Sequence, residues 1–332
     1  MNTTGIIGHK RQLDTLSLLL WNNTVPHTML FTGIAGIGKK LVARRFLAAL
    51  FCPGQEPPCL QCPACIQAAG KTLPDMIELH PDEKGTIPIG GADRVEEGSV
   101  RWLIGRLSKK SMSGKYGVLI NGAEAISIPG QNALLKTIEE PQAGAHIIII
   151  ASNKSLVLPT IQSRCMVLPF NPLGSDEMKQ ILANASGSSD PELIAELSGG
   201  SMEIAIILSQ DGMLEVIAGI CRDITRHLNA GAVLTLDFSA LQKKINMDVL
   251  LSILLNIYRS ILAPEIMSAP LHPYLADLRI PQIQKLRKLI KILLALKKGL
   301  ANNLNIRNAL KGLLYSIERF DGFGLPKLDS TI

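Results

Sequence analysis

The segment Gly33-Ile34-Ala35-Gly36-Ile37-Gly38-Lys39-Lys40 constrains this chain more than any other part of it. It fits G-x-x-x-x-G-K and lies between a short apolar run, Thr28-Met29-Leu30-Phe31-Thr32, and a helical pattern over residues 41–50. A phosphate-binding loop needs that setting, a buried strand before it and a helix opening after it. Gly33, Gly36 and Gly38 let backbone N–H groups wrap a phosphate at the helix N-terminus, and Lys39 has the length to reach the outer phosphates. An ordinary glycine turn is the plain alternative, and the flanking strand and helix favour the phosphate loop over it. The last position departs from the motif. Lys40 stands where Ser or Thr offers a hydroxyl to Mg²⁺, and it adds a positive charge instead.

The surrounding pattern points to the same kind of fold. Residues 10–20, 100–107 and 133–138 read as helices, and 75–79, 116–120, 146–151 and 165–168 as further strands. Strands that are nearly all apolar belong to a parallel sheet covered on both faces. Their alternation with helices predicts an α/β domain of three layers over residues 1–170. Asn171-Pro172-Leu173 ends this alternation. Residues 175–183, 191–197 and 202–208 read as a small helical unit over 171–210, with Gly199-Gly200 in a turn, and 211–332 as an all-helical domain. In that last part, residues 283–298 are amphipathic. Leu286, Leu289, Ile290, Leu293 and Leu294 lie on one face, and Lys285, Arg287, Lys288, Lys291, Lys297 and Lys298 on the other.

A chain of 332 residues, 47% apolar and 19% charged, has the material for two or three packed domains. Aromatic residues make up only 4%, which disfavours a base-stacking platform. The net charge of +6 comes from residues 211–332, which hold 16 Lys and Arg against 10 Asp and Glu. That bias suits DNA or an acidic partner, and it equally suits a solvated helix face. The N-terminus lacks the basic and apolar regions of a signal peptide, and no apolar run approaches the ~18–20 residues that span a bilayer. The expectation is a soluble cytoplasmic protein with no membrane partner and no disulfides.

The six cysteines are read in that light. Cys52, Cys59, Cys62 and Cys65 follow C-x₆-C-x₂-C-x₂-C. Four thiolates so close in sequence predict a tetrahedral zinc site, and a closed four-sulfur shell is structural rather than catalytic. An iron–sulfur cluster and free thiols are the alternatives, but no redox partner motif accompanies the cluster. Cys165 and Cys221 read as small core residues.

A magnesium-dependent ATPase also needs carboxylates at the end of the next sheet strand. Here Val118-Leu119-Ile120 runs into Asn121-Gly122-Ala123-Glu124. Asn121 is a neutral, poor Mg²⁺ ligand, and Gly122 has no side chain to polarise a water. Glu124 lies two residues farther along and is expected to face elsewhere. Lys40, Asn121 and Gly122 together predict a site that does not hydrolyse ATP. Lys39 leaves weak ATP or ADP binding open.

Gln131-Asn132-Ala133-Leu134-Leu135-Lys136-Thr137-Ile138-Glu139-Glu140-Pro141 and Leu158-Pro159-Thr160-Ile161-Gln162-Ser163-Arg164-Cys165 closely resemble segments of the AAA+ clamp-loader subunits of bacterial DNA polymerase III. The opening Ile6-Ile7-Gly8-His9, the stretch Val25-Pro26-His27-Thr28-Met29-Leu30-Phe31 and Asn303-Leu304-Asn305-Ile306-Arg307-Asn308-Ala309-Leu310 are similar to that family as well. The likeness is dense over residues 5–172 and thin beyond them. It implies an AAA+ domain, a helical lid and a helical collar. It also implies partners: the gamma/tau and delta subunits, and through the complex a sliding clamp and primed DNA. Within Ser163-Arg164-Cys165, Arg164 would project into a neighbouring ATPase subunit and touch the γ-phosphate of its ATP. A permanently charged planar guanidinium suits that task. A surface arginine in a local salt bridge is the competing reading. Asn153 falls where the family carries its first sensor, and here it is expected to be a structural hydrogen-bonder. Near Gly200-Ser201-Met202-Glu203 the second-sensor arginine is missing. The resemblance also implies zinc for the cysteines.

Two other functions remain in view. An active gamma/tau-like motor is opposed by Lys40, Asn121 and Gly122. A zinc-stabilised DNA-binding protein using the basic C-terminal helices is weakened by the low aromatic content and the lack of a groove-reading motif.

Overall fold

Successive residues of the apolar strands face opposite sides of one sheet, and both sides are covered. A computed structural model describes residues 1–91, 96–184, 190–230, 245–262 and 282–300. The chain divides into two compact units, Met1–Glu177 and Met178–Ile332.

The first unit holds five parallel strands: β1 Thr28–Thr32, β2 Met76–Leu79, β3 Tyr116–Asn121, β4 Ala145–Ala151 and β5 Met166–Pro169. Their order is β2-β3-β4-β1-β5. β1 lies between β4 and β5, with Leu30 beside Ile149 on one side and Val167 on the other. Parallel neighbours require crossovers, and the helices supply them. α1 (Lys10–Trp21) and α2 (Lys39–Phe51) cover one face, while α4 (Val100–Leu107) and α5 (Ile128–Glu139) cover the other. Met29, Phe31, Leu119, Ile148 and Ile150 pack with Leu13, Leu16, Val42, Phe46 and Leu47. Leu30, Ile77, Val118, Ile147 and Ile149 pack with Val100, Leu103, Leu134 and Ile138. The two-residue strand period thus sorts one apolar run into two cores. Each fully buried aliphatic side chain contributes about 1.5–3 kcal/mol.

The expected strands and helices of this unit are present, with ends moved by a few residues. The helix expected at 133–138 begins earlier, at Ile128. Two short helices went unread in the sequence, α3 (Pro63–Ala69) and α6 (Pro159–Gln162). Both open with proline, which suits a first helical position. This parallel α/β layering around a phosphate loop, followed by helices, is the AAA+ architecture expected.

α7 (Ser175–Asn184) carries the chain from the first unit into the second. The regular elements among the second unit's described residues are helices: α8 (Pro191–Leu197), α9 (Met202–Leu208), α10 (Met213–Ala230), α11 (Met247–Leu262) and α12 (Ile283–Leu300). Leu286, Leu289 and Leu293 of α12 are buried as read, and Ile292 and Leu296 join them. Ile290 and Leu294 are half-buried. Its basic face is partly engaged: Lys285 Nζ donates to the Leu228 carbonyl at 2.6 Å, and Lys297 lies 3.5 Å from the Asp248 carboxylate. Cys221 is fully buried and Cys165 half-buried against the sheet core. Residues 303–310 fall outside the described residues. No single helix among the described residues is long and apolar enough to cross a membrane.

Candidate nucleotide and metal sites

The phosphate loop joins the C-terminal end of β1 to the first residue of α2. Gly33 (φ 143°) fits only as glycine, because a Cβ there would stand 2.4 Å from the Phe170 carbonyl oxygen. Gly36 and Gly38 also take positive φ, 74° and 93°. His9 pins the loop from outside. Its Nε2 donates to the Ile37 carbonyl at 2.5 Å, and its ring meets Phe170 edge-on at 5.0 Å.

Lys39 is only 4% exposed. Its ammonium donates to the carbonyls of Gly33 and Ile34, each at 2.5 Å. The cation that would meet a nucleotide's outer phosphates is thus held by the loop's own backbone. Lys40, one residue on, looks toward another group. Burial and the nearby Arg44 hold its ammonium below the usual lysine range, Lys71 adds to that, and Glu78 opposes it. Arg44 grips the Glu78 carboxylate with two bonds of 2.6 and 2.5 Å, and His80 adds a contact at 2.8 Å. Burial alone would raise the Glu78 carboxyl. The bonds from His80 and Arg44 outweigh it and lower it to about 2.

β3, β4 and β1 are adjacent, so their C-terminal ends share one edge of the sheet. That edge collects the phosphate loop, Asn121 at the end of β3 and Asn153 just past β4. Gly122 follows Asn121 in the left-handed region (φ 94°), and its N–H bonds the Ile150 carbonyl at 3.1 Å. Asn153 Oδ1 accepts from the N–H and hydroxyl of Ser155, at 3.1 and 2.5 Å, and so caps the short helical turn Lys154–Leu156. The Glu124 carboxylate reaches just past β4, where Oε1 accepts the Ser152 N–H at 2.9 Å. Its Oε2 is buried with no hydrogen-bond partner among the described residues.

Arg164 stands elsewhere. It precedes β5 by two residues, and β5 runs parallel to β1 with Met166 beside Met29 and Pro169 beside Thr32. Arg164 therefore sits at the N-terminal edge of the sheet and the phosphate loop at the C-terminal edge. The length of β5, roughly 13 Å at about 3.3 Å per residue, separates them. The Arg164 side chain is 40% exposed and forms an ion pair with Glu139. It is both an exposed arginine and a locally bridged one.

Sequence reading missed His9, Glu139 and Gln131 as site-building residues. Gln131 is 2% exposed, and its amide joins the turn after β3 to the turn before α6. Its spacing from Leu134 and Ile138, which puts a polar residue on the helix's buried face, was the available signal.

The cysteines come together as their spacing predicts. Cys52 ends α2, Cys62 caps α3 and Cys65 lies in the first turn of α3. The four sulfurs lie within 4.8 Å of one another, and those of Cys52 and Cys62 are 4.0 Å apart. A tetrahedral four-sulfur site with metal–sulfur bonds of about 2.3 Å needs sulfurs about 3.8 Å apart, so the donor set fits a metal. Backbone N–H groups of Gly54 and Cys59 point at Cys52 Sγ, that of Cys62 at Cys59 Sγ and that of Cys65 at Cys62 Sγ. Such donors favour thiolates. Those of Gln61 and Cys62 lower the Cys59 thiol to about 6, while burial raises Cys65 to about 12.

Sequence comparison gives the chain's relatives. The family described as "DNA polymerase III, delta subunit" matches residues 8–174. DNA polymerase III subunit delta' of Pseudomonas aeruginosa is 35% identical over 61% of this chain and 61% of its own length. Subunit delta' of Haemophilus influenzae is 27% identical over 57% of each chain. Subunit tau/gamma of Haemophilus influenzae is 27% identical over 70% of this chain and 33% of its own length. The chain thus spans less than two thirds of these relatives. By its match over the whole phosphate-loop domain, the chain belongs to the DNA polymerase III delta subunit family.

Proposed function

We propose that this chain is a clamp-loader subunit of bacterial DNA polymerase III that hydrolyses no ATP itself and donates Arg164 to the nucleotide site of a neighbouring ATPase subunit. Its partners in this reading are the gamma/tau and delta subunits. With them it helps open the sliding clamp and place it on primed DNA. Residues 171–210 act as the lid, and 211–332 as the collar that holds the subunits together.

The observation that carries the reading is the separation of Arg164 from the chain's own phosphate loop by the height of the sheet. An arginine on the far edge is useless to its own loop and accessible to another subunit's. The loop itself supports the other half of the proposal. Lys39 is spent on Gly33 and Ile34, Lys40 cannot hold Mg²⁺, and Asn121 and Gly122 supply neither ligand nor base. Gly33, Gly36, Gly38 and Asn153 then serve as a frame rather than a reaction site.

Cys52, Cys59, Cys62 and Cys65 fit one structural zinc ion. Bound there, zinc would cross-link the end of α2 to α3 and supply no reaction chemistry.

The test is ATP turnover by the reconstituted complex with clamp and primed DNA. Arg164→Ala is expected to assemble normally and to lose turnover at the one site it serves, where such a finger contributes about 10³–10⁵ in rate. Unchanged turnover would return Arg164 to a structural role. Turnover by the isolated chain above background would restore the motor reading.

A further inference from the structure

The guanidinium of Arg164 is gripped from its own subunit. Nε forms an ion pair with Glu139 Oε1 at 2.5 Å, and Nη1 donates to the Thr160 carbonyl at 3.0 Å and to Ser163 Oγ at 3.4 Å. Glu139 is the last residue of α5, and Thr160 lies in the first turn of α6, so two elements hold one side of the plane. A guanidinium carries five N–H donors in a rigid plane. The hydrogen bonds use Nη1, the ion pair lies at Nε, and none of these contacts involves Nη2.

We propose that Glu139 is a positioning residue for Arg164, fixing the guanidinium plane so that its Nη2 side is presented to the γ-phosphate of the neighbouring subunit's ATP. The proposal rests on the reading of Arg164 as a finger acting in trans. The side chains of Arg164 and Glu139 are 40% and 43% exposed. A pair this exposed is too weak to decide folding. It can still orient. An arginine that swings freely gives up rotamer freedom when it engages a phosphate, and one already held gives up less. The arginine stays charged throughout, because guanidinium does not deprotonate in proteins. Nearness in the fold makes the pair, since Glu139 and Arg164 are distant in sequence and meet only because α5 ends beside α6.

The test is a double-mutant cycle in the reconstituted clamp loader with sliding clamp and primed DNA, reading kcat and KM for ATP, with assembly followed by gel filtration. Glu139→Ala is expected to lower kcat about fivefold, with KM and assembly unchanged. In an Arg164→Ala background the same change is expected to do nothing more. Glu139→Gln keeps the side chain's size but removes the charge of the ion pair, and is expected to lose about as much rate as Glu139→Ala. Equal losses in both backgrounds would make Glu139 merely structural and overturn the proposal. So would a Glu139→Ala complex with native kcat beside a damaged Arg164→Ala complex. If Arg164→Ala itself leaves kcat unchanged, the finger reading fails first, and the positioning role falls with it.

Discussion

Gln131 accepts the backbone N–H of Leu158 through Oε1 at 2.8 Å, while its Nε2 donates to the carbonyls of Ile126 and Leu156, both at 3.0 Å. One buried amide therefore ties the segment after β3 to the segment that leads into Arg164. Gln131→Leu keeps the size of the side chain and strands those backbone groups. An unsatisfied buried group costs about 1–3 kcal/mol. The variant is expected to lose about 2–4 kcal/mol in urea unfolding. A loss below about 0.5 kcal/mol would mean the three segments hold together without the amide.

Acid should weaken the fold through Glu78. Its carboxyl is lowered to about 2 by His80 and Arg44, well below the unfolded value near 4.3. A depressed carboxyl stabilises above its unfolded pKa and loses that contribution as pH falls through the folded one. The window is therefore pH 5 down to about 2, and the loss is up to about 3 kcal/mol. Unfolding free energy measured across that range should fall less steeply for Glu78→Gln than for the native chain. Parallel curves would show that Arg44 and Glu78 contribute nothing net.

The purified protein should carry one zinc ion per chain by elemental analysis. Removing it with a chelator should lower the melting temperature, since metal bound only by the folded state adds to its stability. Cys65→Ser, at the buried ligand, should lose the metal. Iron in place of zinc, or no metal at all, would remove the zinc assignment.

Nucleotide binding should be blind to magnesium. Lys40 and Asn121 leave Mg²⁺ without its protein ligands. ATP or ADP affinity, measured by equilibrium dialysis of the isolated chain, is expected to be weak and the same with Mg²⁺ or a chelator present. A clear gain with Mg²⁺ would point to Glu124, whose buried Oε2 has no hydrogen-bond partner among the described residues.

Local chemistry was legible in the sequence by itself. Glycines at 33, 36 and 38 between an apolar run and a helix determine a phosphate loop, because few other residues allow those backbone angles. Close cysteine spacing determines that four sulfurs can meet. Apolar runs bounded by helices determine buried strands of a parallel sheet. The proposal that this site lacks magnesium chemistry rests on Lys40, Asn121 and Gly122, which offer no hydroxyl or carboxylate at those positions.

The tertiary structure alone decided what those groups touch. Strand order puts Asn121 and Asn153 on the phosphate-loop edge and Arg164 on the other, and no period in the sequence encodes that order. Lys39 turning to Gly33 and Ile34 depends on how tightly the loop closes. The pairs Gln131–Leu158 and Glu139–Arg164 join residues more than twenty positions apart. Periodicity reports which face of an element is buried. It does not report which distant backbone or charge will lie against that face once the layers have packed.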